Sequence, residues 1–311
     1  DSFLNKLGIQ KNIMHLVTHE QQEELLLTLS KENISVEIAA GGSGANSMIG
    51  ISQLGGKTAF SGKIGGDEYG KLYREKLQKL GVSDYLAEGK GATGSSLILV
   101  SEDGARTMNT FLGMSQELVN QDIDPSVIQS SKYLYLTGYL WDTESQKKAV
   151  LNALDEAKKY DIKVALSLSD PFCVNRHKED FINLLKGYAN MVFCNQEEAS
   201  TLIETEITQK AIEIMSGWTE TVALTLGGNG ALISHQGETF YIDPLPVRVE
   251  DTTGAGDAFA AGFLYGMTHD MNALDSGRIG AAMAAGVIGQ TGPRYLGNAH
   301  KLIKEKVGII L

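Results

Sequence analysis

Residues 132–170 read "KYLYLTGYLWDTESQKKAVLNALDEAKKYDIKVALSLSD". Apolar runs at 132–140 and 163–170 flank a segment, 144–160, in which apolar residues recur at helical spacing. Continuous apolar runs of this length are typical of strands buried on both faces, whereas the intervening spacing is typical of an amphipathic helix. The stretch therefore predicts a strand–helix–strand unit with parallel strands.

The same alternation continues further along the chain. Apolar runs at 189–195 and 221–228 predict two more strands, and helical patterns lie at 179–186, 197–203 and 209–216. We therefore predict an α/β fold with a doubly wound, mostly parallel central sheet covered by helices on both faces. Such sheets bind ligands beyond the carboxyl ends of their strands. The residues at these ends are Tyr139, Trp141, Asp170, Phe172, Asn195 and Gly227.

Two other regions have the pattern of a different kind of sheet. Apolar and polar residues alternate with a period of two at 33–42 and 95–113, and the Asp-Gly pair at 103–104 is typical of a hairpin turn. Residues 84–88 also have extended character. We expect a single domain spanning 1–311, with a small antiparallel β lid formed by segments 33–41, 84–88 and 95–112.

The composition restricts the classes of partner. The 311 residues carry a net charge of −11, whereas nucleic-acid and anionic membrane surfaces are bound by clusters of Lys and Arg. We expect neither partner, and no apolar run is long enough to span a bilayer. The two cysteines, Cys173 and Cys194, are too few for a disulfide framework and lack metal-site spacing. We therefore expect a cytoplasmic protein without a signal peptide.

The glycine patterns argue against two common nucleotide-binding classes. The stretch "ISQLGGKT" (51–58) has Ile51 where a P-loop requires glycine, and "GGDEYG" (65–70) lacks the spacing of a dinucleotide fingerprint. A Walker-type ATPase and a nicotinamide-dependent dehydrogenase both lack their signatures.

The stretch "DTTGAGDAFAAGF" (251–263) places glycines and an acid at the start of a predicted helix. The N–H groups of Gly254, Ala255 and Gly256 would create a positive potential where the helix begins, near Asp257. Such a site stabilises charge on a transferred phosphoryl group, and an aspartate beside it can accept the proton of an attacking alcohol. These residues alone fit an ordinary helix start equally well.

A second glycine-rich stretch precedes another predicted helix. Gly42 and Gly44 end an extended run, and Asn46 follows at the helix start. Glycine lets the backbone approach a ligand closely, and the Asn46 amide can bind a hydroxyl group. The alternative is a glycine-rich turn with a helix cap.

Two further groups of polar residues and glycines follow predicted strands. Asn195 and Glu198 could hold the water shell of Mg²⁺, or they could form a capping box. Thr225, Gly227 and Gly230 could border the tail of a nucleotide, or they could form a hairpin turn. All of these positions suit a ligand that carries phosphates and hydroxyls.

These stretches together resemble the ribokinase (PfkB) family of carbohydrate kinases. "GGSGAN" with "GGKTAFSGKIGGDEYG" resembles the N-terminal signature, and "DTTGAGDAFAAGF" resembles the C-terminal one. "NQEE" and "TLGGNG" are similar to the family's N-x-x-E element and nucleotide-side glycine turn. The resemblance covers roughly residues 33–295. "RTMNTFLG", "YLTGYLWD" and "LSDPFC" are most similar to a bacterial adenosine-kinase-like branch.

The resemblance implies a ribokinase-like fold and ATP-dependent transfer of the γ-phosphoryl group to a primary hydroxyl. It makes Asp257 the catalytic base and Gly254, Ala255 and Gly256 the anion hole. The residues expected at the substrate are Gly42, Gly44, Asn46, Arg106, Phe111 and Tyr139, with Arg106 able to swing towards the phosphates. The residues expected at ATP and Mg²⁺ are Asn195, Glu198 (to Mg²⁺ through water), Thr225, Gly227 and Gly230. Asp251 and Thr253 match positions that bind K⁺ in some members.

The substrate is expected to be adenosine-like, because Phe111, Tyr139, Trp141 and Phe172 could form an apolar slot for a base. A plain sugar such as ribose or fructose is the alternative acceptor. A catalytically silent binding protein on the same scaffold is another alternative. The first strand of family members usually supplies an aspartate that binds a substrate diol. We expect that strand to be missing from this sequence, and the alternative is that the substrate contacts differ. A homodimer through the lid and a closed monomer both fit the sequence.

Overall fold

The computed structural model describes residue 4 and residues 6–11, 13–101 and 106–311. Its strands are β1 Met14–Leu16, β2 Thr58–Gly65, β3 Val82–Gly89, β4 Ser95–Val100, β5 Arg106–Phe111, β6 Tyr133–Thr137, β7 Lys163–Ser167, β8 Met191–Asn195, β9 Thr221–Thr225, β10 Ala231–His235 and β11 Glu238–Ile242.

The α-helices with described bounds are α1 His19–Lys31, α2 Ser43–Gln53, α3 Glu68–Lys79, α4 Pro125–Gln129, α5 Glu144–Lys159, α6 Pro171–Arg176, α7 Lys178–Gly187, α8 Gln196–Ile203, α9 Thr208–Ser216, α10 Ala255–Thr268, α11 Ala273–Ile288 and α12 Ala299–Val307. None of these helices is both long and apolar enough to cross a bilayer.

The central sheet has the strand order β11-β10-β9-β8-β7-β6. Strands β6 to β9 run parallel, and β10 and β11 add an antiparallel edge. The four predicted apolar runs are these parallel strands, and the predicted helices between them are α5, α7, α8 and α9. The predicted α/β fold with a mostly parallel central sheet is confirmed.

Helices cover both faces of this sheet because its parallel strands carry apolar residues on both sides. In β7, Val164 and Leu166 pack into one buried cluster, whereas Ala165 packs into the other. The first cluster includes residues of α5 to α9, and the second includes residues of α2, α10, α11 and α12. Alternate side chains of a strand point to opposite faces, so each face has its own helical layer.

Helix α10 is held close to α11 by small residues. A Cβ at Gly262 would lie 2.8 Å from the backbone of Gly280. The glycines of "AFAAGFLYG" (258–266) therefore have a packing function, because they let two helix backbones touch. This contact sets where the first turn of α10 lies relative to the sheet.

The predicted strand at 132–140 ends earlier than expected, at Thr137, and a 3₁₀ turn, Gly138–Trp141, follows. A Cβ at Gly138 would lie 2.7 Å from the carbonyl oxygen of Leu168, so glycine is required for this close approach. The turn carries Trp141 into the core, where it is 3% exposed and packs edge-on against Phe181. Trp141 is therefore unavailable as a wall of a ligand pocket, contrary to the expected base slot.

A small separate sheet, with the order β1-β5-β4, forms what we call the lid. Strands β4 and β5 pair antiparallel, as predicted for 95–112, and β1 pairs parallel with β5. The Asp-Gly pair at 103–104 lies outside the described residues. Helix α1 covers one face of the lid, where Leu25 and Leu29 pack against Leu97.

Two of the three predicted lid segments are elsewhere. Residues 34–42 form no strand; their carbonyl groups at Ile38 and Gly41 accept hydrogen bonds from side chains of Lys76 and Tyr73 on α3. Residues 84–88 belong to β3, which pairs parallel with β2 in a two-stranded sheet. Both assignments to the lid were therefore wrong. A local sequence pattern can predict an extended chain, but it does not predict which strand pairs with it.

Candidate active site

The tip of α10 is shaped by glycines. Gly254 is the N-cap residue and has a left-handed conformation, with φ of 77°. A Cβ there would lie 2.3 Å from the carbonyl oxygen of Pro293, whereas a Cβ at Gly256 would meet no atom within 4 Å. The N–H of Ala255 donates to the carbonyl oxygen of Thr252 (3.2 Å). One of the three predicted anion-binding N–H groups is thus engaged in a turn, and the tip at Gly256 faces open space.

Asp257 lies in the first turn of α10 and receives two hydrogen bonds from α2. Ser43 Oγ donates to Asp257 Oδ1 (2.5 Å), and Asn46 Nδ2 donates to Asp257 Oδ2 (3.0 Å). The Asp257 side chain remains partly exposed. The two predicted glycine-rich helix starts therefore meet at one carboxylate, although they are more than two hundred residues apart in sequence.

Sequence reasoning missed Ser43, which has the shortest contact to Asp257. Its only signal was its place between Gly42 and Gly44, at the first turn of α2. Gly42 is the N-cap of α2 with φ of 97°, a conformation that favours glycine. That turn directs the side chains of Ser43 and Asn46 towards Asp257.

Burial raises the pKa of Asp257 above its usual value, and the hydrogen bonds from Ser43 and Asn46 oppose this rise. Asn46 is 7% exposed, and within the described residues its Oδ1 atom has no hydrogen-bond partner. That oxygen is thus available to accept a hydrogen bond close to the carboxylate.

Asn195 and Glu198 form the capping box of α8. Asn195 Oδ1 accepts from the Glu198 N–H (2.8 Å), and the Glu198 carboxylate accepts from the N–H and Nδ2 of Asn195 (3.1 and 2.6 Å). Burial raises the pKa of Glu198 to about 7. The capping role is thus present, and it places a buried carboxylate with high proton affinity at the end of β8.

The carboxyl ends of several strands converge around Tyr139. Desolvation raises the pKa of its hydroxyl well above the usual value, and the carboxylates of Asp170, Asp257 and Glu198 raise it further. Its hydroxyl donates to the carbonyl oxygen of Ser169 (3.4 Å), a residue with a positive φ of 77°. Positive φ at a serine is uncommon and is often found at functional sites. The ends of β6, β7 and β8 and the tip of α10 thus border one acidic region.

The β9–β10 turn also borders the carboxyl end of the sheet. Thr225 Oγ1 donates to the carbonyl oxygen of Cys194 (3.4 Å), and a 3₁₀ turn, Gly227–Asn229, connects the two strands. Gly230 has φ of 81° and lies against the carbonyl oxygen of Ile242, so packing explains it. Gly227 is exposed, and a Cβ there would meet no atom within 4 Å. The hairpin turn, which was one of the two alternatives predicted from sequence, is present. Gly227 leaves this turn accessible to a ligand.

Arg106 connects the lid to the segment before α10. Its guanidinium pairs with Asp251 Oδ1 and donates to Thr253 Oγ1. Asp251 also accepts from the N–H groups of Thr253 (2.7 Å) and Gly292 (2.6 Å). The two residues assigned to K⁺ by resemblance therefore both contact a cationic side chain, and this arrangement does not fit an added K⁺ ion.

Phe111 is not part of this region, contrary to prediction. It lies on β5 five positions after Arg106, so the two side chains point to opposite faces of the lid. The Arg106 face is directed at Asp251, whereas the Phe111 ring packs against His19 of α1, with ring centroids 5.2 Å apart. Because side chains alternate between the two faces of a strand, the Phe111 side chain points away from the cleft.

Among the residues that the structure describes, no group of three or more His, Cys, Asp or Glu side chains is arranged to hold a metal ion. Cys173 and Cys194 are both buried and free.

A family model described as "pfkB family carbohydrate kinase" matches residues 13–299 of this chain. A probable sugar kinase from Rhizobium etli has a solved structure that is 35% identical, with a TM-score of 0.89 over 98% of this chain and 92% of that one. The adenosine kinase from Sinorhizobium meliloti is also 35% identical, with a TM-score of 0.87 over 98% and 93%. An uncharacterized sugar kinase from Archaeoglobus fulgidus is 29% identical over 79% of this chain and 97% of its own length.

Proposed function

Because this chain belongs to the pfkB family of carbohydrate kinases, we propose that it transfers the γ-phosphoryl group of ATP to a primary hydroxyl of an adenosine-like nucleoside. The observation that supports this most directly is the position of Asp257. Its carboxylate lies in the first turn of α10, next to the open tip at Gly256, and is oriented by Ser43 and Asn46. An alcohol and a phosphoryl group can thus meet at one place.

Asp257 acts as the general base in this mechanism. Its partly exposed carboxylate accepts the proton of the substrate hydroxyl as that oxygen attacks phosphorus. The raised pKa makes it a stronger base near neutral pH, while the two hydrogen bonds keep it ionised. The positive end of α10 stabilises charge on the phosphoryl oxygens. Closure of the lid excludes water from the cleft and so limits ATP hydrolysis.

Asn195 and Glu198 fit a magnesium ion that arrives with ATP. Mg²⁺ keeps several waters and takes its other ligands from phosphates and one or two carboxylates. Glu198 supplies a single buried carboxylate at the strand end, and burial together with the charges of Asp170 and Glu197 raises its pKa. Bound Mg²⁺ would neutralise phosphate charge, and Glu198 would hold it through water.

Replacing Ser43 with alanine should shift the pH dependence of turnover. The Ser43 hydrogen bond lowers the pKa of Asp257, so its loss raises that pKa. The base must be deprotonated, so the acid limb of the kcat/KM profile should move to higher pH, by about one unit for about 1.4 kcal/mol of lost interaction. Ser47→Ala is the matched control, since Ser47 Oγ donates to the Ser43 carbonyl oxygen and not to Asp257. An unchanged acid limb in Ser43→Ala would contradict the role of this contact.

The inner face of the lid favours a nucleoside over a plain sugar. Residues paired across strands share a face, so Met14, Ile98 and Met108 lie on the same face as Arg106 and opposite to α1. Met14 and Ile98 are exposed on this face. Together they form an apolar surface over the cleft, which suits the flat, apolar surface of a base better than a ring of hydroxyls.

Phe172 provides a second apolar surface. It follows Asp170 in the first turn of α6 and is 78% exposed, an unusual exposure for a phenylalanine. An exposed aromatic ring beside the acidic region is suited to stack on a base. The similarity to the adenosine kinase from Sinorhizobium meliloti agrees with this substrate class.

A panel of adenosine, inosine, ribose and fructose, assayed by ADP release with MgATP, tests the substrate class. Adenosine should give the highest kcat/KM. Phe172→Ala should lower kcat/KM for adenosine about 5–150-fold, since base–aromatic stacking contributes about 1–3 kcal/mol, while any turnover of ribose stays unchanged. A sugar that exceeds adenosine would make this protein a sugar kinase of the ribokinase or fructokinase type. No turnover with any acceptor would favour a catalytically silent protein.

Location and assembly are further parts of the proposal. Two buried free cysteines agree with a cytoplasmic, reducing location. Strand β4 is an outer strand of the lid and could pair with the same strand of a second copy, so a homodimer is one assembly and a monomer the other. Sedimentation equilibrium distinguishes them.

A further inference from the structure

The ion pair between Arg106 and Asp251 lies next to the N-terminal tip of α10 in the candidate site. Asp251 is 3% exposed and its carboxylate joins three segments: the loop before α10, through the Thr253 N–H; the loop after α11, through the Gly292 N–H; and the lid, through Arg106. Arg106 also donates to Thr253 Oγ1, so the guanidinium touches two residues that lie within three positions of Gly254.

A buried carboxylate needs a positive partner, because an uncompensated charge in the interior is strongly destabilising. The N–H groups of Thr253 and Gly292 are neutral donors and leave that charge in place. A monovalent cation would satisfy it, and so does a guanidinium, which carries the same charge and directs several N–H groups at once. In this chain the guanidinium is already in contact with the carboxylate.

We propose that Arg106 supplies the positive charge that Asp251 requires, in place of a bound potassium ion, so that this enzyme needs no monovalent cation. Arg106 is in this sense a positioning residue. It neutralises Asp251, which in turn sets the backbone of Thr253 and hence the tip of α10 at Gly254.

The source of this charge couples the lid to the phosphate site. A bound ion would stay on the loop whether the lid is open or closed. Arg106 instead belongs to β5 and moves with the lid. Opening the lid withdraws the counter-charge from a buried carboxylate, and closing it restores the charge. The tip of α10 is therefore held in place when the lid covers the cleft, which is when phosphoryl transfer takes place under the proposed function.

The test replaces Arg106 with methionine and compares KCl with tetramethylammonium chloride at equal ionic strength, with ATP as its Tris salt. The wild-type protein should show the same Tm and the same turnover in both salts. In Arg106→Met, K⁺ should raise the Tm by about 2–4 °C, as expected for a ligand that binds only the folded state. K⁺ should also raise the turnover of this variant at least ~10-fold, because it restores charge at a preorganised site.

Two further variants serve as controls. Arg106→Lys retains the charge and should stay insensitive to K⁺. Arg278→Met removes an arginine from an exposed pair with Asp275 on α11 and should behave as the wild type does in both salts. The Tm comparison needs no turnover, so it tests this inference even if the proposed substrate is wrong. A wild-type protein that K⁺ stabilises and activates as much as Arg106→Met would overturn the inference, and so would an Arg106→Met protein that K⁺ does not affect.

Discussion

Asp257→Asn should lower turnover by at least ~100-fold, within the range that general-base catalysis contributes. Asparagine has the shape of aspartate but cannot accept the proton of the attacking hydroxyl. The fold should be retained, because the carbonyl oxygen of the substituted side chain can still accept from Ser43 Oγ, and the Asn46 amide can rotate to present its free Oδ1 to the new NH₂ group. Turnover under saturating substrate and MgATP is the measurement.

The loss of turnover in Asp257→Asn should come from the chemical step and not from impaired folding or ATP binding. The Tm of Asp257→Asn should equal or exceed that of the wild type, since the substitution removes a carboxyl group whose ionised form is disfavoured by burial. ATP binding measured by calorimetry should change little. Turnover within a few-fold of wild type would show that another group accepts the proton, and the mechanism proposed for Asp257 would be wrong.

Gly254→Ala and Gly256→Ala should both lower turnover, but only Gly254→Ala should also lower stability. Gly254 has a left-handed backbone, which costs an L-residue roughly 1–2 kcal/mol, and its Cβ would collide with the Pro293 carbonyl group. The Tm of Gly254→Ala should fall by at least ~2 °C, and turnover should fall because the tip of α10 is displaced.

Gly256→Ala is the matched substitution two residues away. Its Cβ meets no protein atom, and alanine is preferred over glycine within a helix by about 1 kcal/mol, so the Tm should stay the same or rise. The methyl group would project into the space where phosphoryl oxygens approach the helix tip. Turnover should therefore fall at least ~10-fold in a protein that is fully stable. Normal turnover in Gly256→Ala would place the phosphoryl group elsewhere.

The sequence was most informative where local patterns decide the structure. Four apolar runs separated by helical patterns predicted β6 to β9 and the helices between them, because a parallel strand buried on both faces needs apolar residues on both sides. The capping box at Asn195 and Glu198 was predicted as one of two alternatives, since its hydrogen bonds join residues three positions apart. The start of α10 beside Asp257 was predicted because its glycines and its acid lie within one short stretch of sequence.

The errors arose where a pattern leaves the partner undefined. The alternation at 33–42 predicted an extended chain, but the groups that bind its carbonyls are side chains of α3. Phe111 was expected in an apolar slot for a base because it is aromatic, yet its position on β5 turns its side chain towards α1. Trp141 was expected at a strand end, but a 3₁₀ turn after Thr137 buries it against Phe181.

By itself, the sequence determined the α/β class, the order of the central strands and helices, and the glycine-rich helix starts, because each depends on contacts between residues near one another in the chain. Only the tertiary structure decided that Ser43 and Asn46 hold Asp257, that Arg106 pairs with Asp251, and which face of the lid borders the cleft. These contacts join residues more than a hundred positions apart. Their geometry depends on how helices and strands pack, and no local pattern of residues encodes it.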